Sequence, residues 1–224
     1  MDGLLLIDKP AGITSHDVVD RVRRIAGTRR VGHAGTLDPF ATGLLILGIN
    51  KGTKKLTSLI GLDKTYEATA RLGATSTTDD PEGEIAETEI ATPPTQQELE
   101  NALNQFRGGY DQTAPLFSAK KIGGKKLYEL ARKGKTEGVT PPTKHVAITN
   151  LMITDYNYPN LSFTTTCSSG TYIRALARDI GAALKIGAYL TALRRTRISS
   201  HDIKDAITLD DLDEKTLDTK LIPS

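Results

Sequence analysis

The sequence predicts an α+β fold: a mixed, largely antiparallel sheet flanked by helices. Strand-like and helix-like stretches alternate without the regular strand–helix–strand spacing of a doubly wound fold. Thr65–Leu72 alternates strictly, with Tyr66, Ala68, Ala70 and Leu72 on one side and Thr65, Glu67, Thr69 and Arg71 on the other, as a half-buried strand does. Two stretches, Gln96–Phe106 and Thr171–Leu184, each carry a single apolar stripe of the width that packs one helix face on a sheet.

Taken in order, Leu4–Ile7 is a short apolar run ending in Asp8-Lys9-Pro10-Ala11-Gly12, a strand followed by a turn. Ser15 is placed to cap a helix with Val18, Val19, Val22, Ile25 and Ala26 at helical spacing, and Gly27 to end it. Its other face carries Arg21, Arg23 and Arg24. In the second helix Leu99, Leu103 and Phe106 share a stripe; in the third Ile173, Leu176, Ala177, Ile180 and Leu184 do. Val146–Ile153 and Leu161–Cys167 read as further strands. Lys120-Lys121-Ile122-Gly123-Gly124-Lys125-Lys126 has little to bury and much like charge, so it reads as a mobile basic loop.

Composition removes several function classes. With 38% hydrophobic and 25% charged residues the chain is globular, and no window approaches the roughly 18 apolar residues of a membrane span. The start Met1-Asp2-Gly3-Leu4 has no basic signal-peptide region, so the chain reads as cytoplasmic, with no membrane partner. One cysteine, Cys167, forms no internal disulfide, and with only His16, His33, His145 and His201 beside it a zinc site is not expected. The net charge of +2 hides sorted blocks. Arg21–Arg30 holds five arginines and no acid, and Ala119–Lys144 holds seven lysines and one arginine against two glutamates. Both are candidate polyanion-binding segments. Asp79–Glu100, with eight acids and no base, and the tail from His201, with seven acids against three lysines, read as surfaces turned away from nucleic acid.

Chemistry concentrates in Val31–Leu45, where glycines and a proline shape a tight loop that displays His33 and Asp38 outside the surrounding periodicities. Asp38-Pro39 is either a turn or a displayed carboxylate. Arg174, at a glycine-led helix start, can meet a carboxylate bidentately, either as a structural salt bridge or to keep Asp38 ionised as a nucleophile. Gly43–Gly48 has phosphate-loop glycine spacing but is followed by Ile49-Asn50 rather than lysine and serine or threonine. With no dinucleotide fingerprint and no zinc motif either, the reaction is expected to need no cofactor and no metal. An isomerisation fits.

The loop Gly32-His33-Ala34-Gly35-Thr36-Leu37-Asp38-Pro39-Phe40-Ala41-Thr42-Gly43-Leu44-Leu45 resembles the aspartate loop of the TruB family of tRNA pseudouridine synthases. The resemblance continues in order at Leu6–Gly12, Lys64-Thr65-Tyr66, Ser118-Ala119-Lys120, Gly124–Arg132, Gly170–Arg174 and Leu193-Arg194-Arg195, so it spans residues 4 to 212. It implies the pseudouridine synthase catalytic fold and isomerisation of the T-loop uridine at position 55 of tRNA. Asp38 resembles the nucleophile, which forms an ester at the ribose anomeric carbon or an adduct at C6 of the base. Tyr66 resembles the active-site tyrosine and Arg174 the partner of the aspartate. Tyr172 and Leu193 resemble pocket-wall residues, and His33 a substrate-contacting histidine. Lys9 and Pro10 resemble a support beneath the pocket. A flipped-out uridine is implied, since the atoms attacked are hidden in a stack. Residues 119–144 resemble an RNA-gripping insertion in which Lys120, Lys125, Lys126 and Arg132 contact the tRNA, and this insertion resembles the stand-alone bacterial form, so no guide RNA is expected.

The sequence departs from the family pattern at Phe117, where a tyrosine is common. Residues 1–212 read as the catalytic domain and 213–224 as a short acidic tail, too short for the PUA domain that many relatives carry. The catalytic domain is then expected to do its own gripping, as a monomer. The alternative reading is an RNA-binding, tRNA-folding module without catalysis, which the same basic blocks would serve. The complete set Asp38, Tyr66 and Arg174 favours the enzyme.

Overall fold

The computed structural model describes residues 1–136 and 138–223; Glu137, in the expected insertion, and Ser224, at the end of the expected tail, lie outside the described residues. The chain divides into two compact units, Met1–Glu67 with Leu193–Ser224, and Ala68–Ala192.

The first unit opens with β1 (Gly3–Lys9), α1 (Ser15–Ile25), β2 (Val31–His33) and β3 (Thr42–Ile49). A 3-10 helix (Asn50–Lys55) and α2 (Leu56–Ile60) lead into β4 (Lys64–Leu72). β1 pairs antiparallel with β3 along its whole length, from Gly3 opposite Ile49 to Lys9 opposite Gly43, and β2 pairs with the far end of β3. β1 is apolar without alternation because both its faces are covered. Leu5 and Ile7 pack with Val18, Val19 and Val22 of α1, while Leu4 and Leu6 pack with Leu44, Ile46, Leu56 and Ile198. α1 ends as expected, with Gly27 left-handed at φ +60. Its start differs by one residue. Thr14, not Ser15, is the cap, in a capping box with Asp17. Ser15 is thereby released for another task.

In the second unit β4 continues, followed by the hairpin β5 (Ala74–Ser76) and β6 (Ile85–Glu87) and by α3 (Gln96–Asn104), which a Thr95–Glu98 capping box starts. Next come β7 (Tyr110–Thr113), β8 (Lys121–Ile122), β9 (Lys125–Lys126) and α4 (Leu127–Arg132). The segment read as a loop is thus a hairpin. Gly123 and Gly124 both take positive φ, +56 and +82, which is what a two-residue hairpin turn requires, and Leu127 behind it is fully buried. The strand expected from Val146 is two strands, β10 (Thr143–Val146), paired with β7, and β11 (Ile148–Asn157), paired with β12 (Asn160–Cys167). α5 (Ile173–Ala183) and the start of β13 (Ala188–Ile198) complete the unit.

The rest of β13 returns to the first unit, where it runs parallel to β3, with Arg194 opposite Thr42 and Arg195 opposite Gly43. After it come β14 (His201–Asp202), a 3-10 turn (Ile203–Asp205), β15 (Ile207–Thr208), α6 (Glu214–Lys220) and β16 (Ile222–Pro223). β15 lies parallel and β16 antiparallel to β1. The acidic tail is therefore built in: Leu217 is fully buried among Leu5, Ile7 and Val22. Among the described residues, no helix is long and apolar enough to cross a membrane.

Candidate active site

The first unit holds Asp38, His33, Tyr66 and Leu193, and the second holds Arg174, Tyr172, Lys120, Lys125, Lys126 and Arg132. Asp38 is half-buried in the loop between β2 and β3. Backbone groups on either side of it are fixed by buried polar side chains. The Ser15 hydroxyl donates to the Leu37 carbonyl at 3.0 Å and accepts from the Leu37 N–H at 2.9 Å. On the other side, the Pro39 carbonyl accepts from the Lys9 ammonium at 3.2 Å and from the Gly12 N–H at 2.9 Å. Lys9 is fully buried. Arg195, 1% exposed, donates to the carbonyls of Gly35 at 3.0 Å, Thr36 at 3.4 Å and Leu44 at 2.8 Å. A buried cation on three carbonyl dipoles holds the loop's entrance to its exit. Gly43 makes this possible: with φ +104, a Cβ there would sit 2.3 Å from the Arg195 carbonyl oxygen.

His33, on β2, has its pKa lowered, first by burial and then by the charge of Arg195, so it is neutral at pH 7. Its buried Nδ1 has no hydrogen-bond partner among the described residues. Tyr66 is buried on β4, 7% exposed. Leu193 is likewise buried, and its carbonyl accepts from the Thr42 hydroxyl at 3.4 Å. Beside it Arg194 forks onto Asp8, at 3.1 and 2.6 Å.

In the second unit Arg174 stands in the first turn of α5 with its side chain 5% exposed. It meets Asp80 at 3.3 Å and donates to the carbonyls of Thr78 at 2.7 Å and Phe117 at 3.1 Å. Within unit two, the carboxylate facing Arg174 is thus Asp80, a member of the acid run 79–100 that the sequence places at the surface. Asp79 is also taken inward. It pairs with Arg178 at 3.0 Å, and burial raises its pKa against the lowering effect of Arg178 and Arg174. No local pattern distinguishes these two acids from exposed ones, because their partners lie almost a hundred residues away.

Among the described residues the side chain of Tyr172, at the entry to α5, does not cap the helix. Gln112, 3% exposed, fixes the residue at that entry: it donates to the Tyr172 carbonyl at 3.0 Å and accepts from the Tyr172 N–H at 2.8 Å. Gln112 also donates to the Tyr110 hydroxyl at 2.6 Å, which in turn donates to Asp179 at 3.0 Å. Burial and the Asp179 carboxylate hold the Tyr110 hydroxyl protonated, far above its usual range. Gln112, Lys120, Lys121, Lys144, Gly170 and Tyr172 line a pocket of about 260 Å³. It joins two of the expected RNA-contacting positions, Lys120 and Tyr172. Lys126 and Arg132 instead flank the Tyr128 ring, at 5.4 and 5.6 Å from its centre.

The description "TruB family pseudouridylate synthase (N terminal domain)" matches residues 23–173. The chain belongs to the TruB family. "tRNA pseudouridylate synthase B C-terminal domain" matches residues 174–222, the stretch that includes Arg174, Leu193 and the built-in tail. Among curated TruB relatives, "tRNA pseudouridine synthase B" of Mycobacterium sp. (strain KMS) is 48% identical over 224 residues, 98% of this chain and 75% of that one. The protein of the same description from Thermobifida fusca (strain YX) is 47% identical over 219 residues, 94% of this chain and 74% of its own. Of solved structures, a chain of "Crystal Structure of a Cbf5-Nop10-Gar1 Complex" superposes with a TM-score of 0.74 at 27% identity, covering 94% of this chain and 53% of that one. A chain of "Structure of H/ACA RNP bound to a substrate RNA containing 2'-deoxyuridine" gives 0.70 at 25%, covering 94% and 52%. These superpositions bear out the pseudouridine synthase fold expected from the sequence.

Proposed function

We propose that this chain is an isomerase that converts a uridine of tRNA to pseudouridine, that the uridine is the T-loop one at position 55, and that Asp38 is the nucleophile. The observation that carries the reading is the family match over the segment that contains the Asp38 loop, together with the buried clamps of Ser15, Lys9 and Arg195 on that loop. A binder that never reacts has little physical use for a loop clamped this closely on both sides of a carboxylate.

In the reaction the Asp38 carboxylate bonds either to C1′ of the ribose, displacing N1 of the uracil, or to C6 of the base, in which case the C1′–N1 bond breaks in the following step; in both routes N1 ends protonated. The uracil then turns, C1′ bonds to C5, the C5 proton passes to a base, and the carboxylate is released. No atom is gained or lost overall, apart from the exchange of that proton. Arg174 is given the task of keeping Asp38 ionised, since a protonated acid attacks nothing. Tyr66, Tyr172 and Leu193 receive the flipped base, Tyr66 by stacking on it. His33, neutral, offers hydrogen bonds without adding charge. Lys120, Lys125, Lys126 and Arg132, in the insertion 119–144 of a catalytic region read as residues 1–212, contact phosphates and supply salt-dependent affinity. No guide RNA takes part, the enzyme acts in the cytoplasm as a monomer, and selectivity comes from the shape of the T-loop.

The test is to incubate the protein with an unmodified tRNA transcript and map pseudouridine by carbodiimide-dependent primer extension. A single stop reporting position 55 supports the reading. No stop anywhere, with binding retained, would return the RNA-folding alternative to the front.

A further inference from the structure

β2 and β3 pair antiparallel, with Val31 opposite Ile49 and His33 opposite Leu47, so the Asp38 loop closes one end of this ribbon while residues 29–30 and 50–55 leave together at the other. The two leaving segments are tied. The Asn50 N–H donates to the Arg30 carbonyl at 2.8 Å, and the Thr28 hydroxyl donates to the Asn50 side-chain oxygen at 3.0 Å. The 3-10 helix that follows is pinned to β1, since a Cβ on Gly52 would come within 2.0 Å of the Gly3 carbonyl oxygen. Arg29, Arg30, Lys54 and Lys55 are all exposed on this scaffold. Nearby carboxylates are already committed: Asp20 to Arg23 at 2.9 Å, Asp2 to Lys51 at 3.2 Å and Asp210 to Arg21 at 3.3 Å. Four like charges on adjoining segments repel one another, and no carboxylate among the described residues offsets them.

We propose that these four residues form a second phosphate-binding surface, which takes the backbone of the same tRNA whose uridine is isomerised. It rests on the tRNA reading above and extends it beyond the catalytic loop and the insertion. β3 has eight residues, so it runs about 23 Å, at ~3.3 Å per residue, from Thr42, where the chain leaves the Asp38 loop on the side nearer Asp38, to Ile49 beside the patch. At that separation it touches neither the target nucleotide nor its neighbours. The patch therefore contributes to affinity, and turnover at saturation does not depend on it. Exposed lysines and arginines of this kind meet phosphates as charges, with no reading of bases.

The test is the variant Arg29→Gln/Arg30→Gln/Lys54→Gln/Lys55→Gln, measured by tRNA binding across a salt series and by saturated turnover. Each phosphate contact contributes about 0.7–0.9 to the slope of log K against log salt, so the slope is expected to fall by about three. The dissociation constant at about 0.1 M salt should rise at least tenfold with kcat unchanged. Arg29→Lys/Arg30→Lys, which keeps the charge, should bind as wild type. The Arg29→Gln/Arg30→Gln and Lys54→Gln/Lys55→Gln pairs measured singly should each give about half the fall, which keeps the test readable if the fourfold variant is unstable. An unchanged slope and affinity would overturn the proposal, as would a loss confined to kcat. Failure of the wild type to make pseudouridine is a separate result, and would overturn the function reading instead.

Discussion

Ser15 shows how one hydroxyl ties secondary structure to chemistry. Because Thr14 caps α1, Ser15 faces inward, 2% exposed, and both its hydrogen bonds go to Leu37, the residue before Asp38. Ser15→Ala strips both Leu37 backbone groups of this partner, at a cost of about 1–3 kcal/mol. It should lower single-turnover rate at least tenfold while tRNA affinity stays unchanged, since a loosened nucleophile loses alignment and binding is held elsewhere. His33 gives a pH prediction. Its folded pKa lies below the ordinary 6.5, so the unfolded chain takes up the proton first. Its contribution is present above pH 6.5 and is lost as pH falls from there through the lowered folded value. A thermal melting series from pH 7.5 to about 5 should show wild type losing more stability than His33→Gln over that window. At this scale the sequence was legible where a residue belongs to a familiar loop, as with Asp38. It was silent about Arg195 as a clamp and Asp80 as an arginine partner, because neither contact is local.

The element scale follows from how α5 and the Asp38 loop are held. Gln112 fixes the entry to α5 with two buried hydrogen bonds to the backbone of Tyr172. Gln112→Ala should cost about 2–3 kcal/mol in denaturant unfolding, more than the loss of an exposed cap. Gly43→Ala is a harsher change. The added methyl meets the Arg195 carbonyl at a left-handed φ, so β3 and β13 must part, and a loss of about 3 kcal/mol or more is expected. Elements were readable where burial is one-sided: β4 alternates because one face is covered, and α1 and α3 carry single apolar stripes. The β8–β9 hairpin is hidden in the sequence because the lysines around Gly123-Gly124 carry a charge signal stronger than that of the two-residue turn. The division of Val146–Ile153 into β10 and β11 was invisible for a related reason. Ala147 keeps the apolar run unbroken while its N–H turns to the Ser168 hydroxyl, at 3.0 Å.

For the molecule as a whole, net charge says less than its sorting. The exposed basic residues of the insertion and of the β2–β3 end predict tRNA affinity that falls steeply with salt, whereas the rate at saturating tRNA is salt-insensitive; a titration at two or three ionic strengths measures both. Fold class and family were legible because the motif segments keep their order from Leu6 to Arg195. The place of the acidic tail was not, since Leu217 and Ile222 are too few apolar residues to announce α6 packing into the core and β16 pairing with β1. The central claim is that Asp38 performs the isomerisation. The most direct measurement is release of tritium from C5 of uridine in an unmodified tRNA labelled at position 55, by wild type and by Asp38→Asn, with filter binding of both. Release by wild type and none by a variant that binds equally well is the predicted result. Release by Asp38→Asn at a rate near wild type would contradict it.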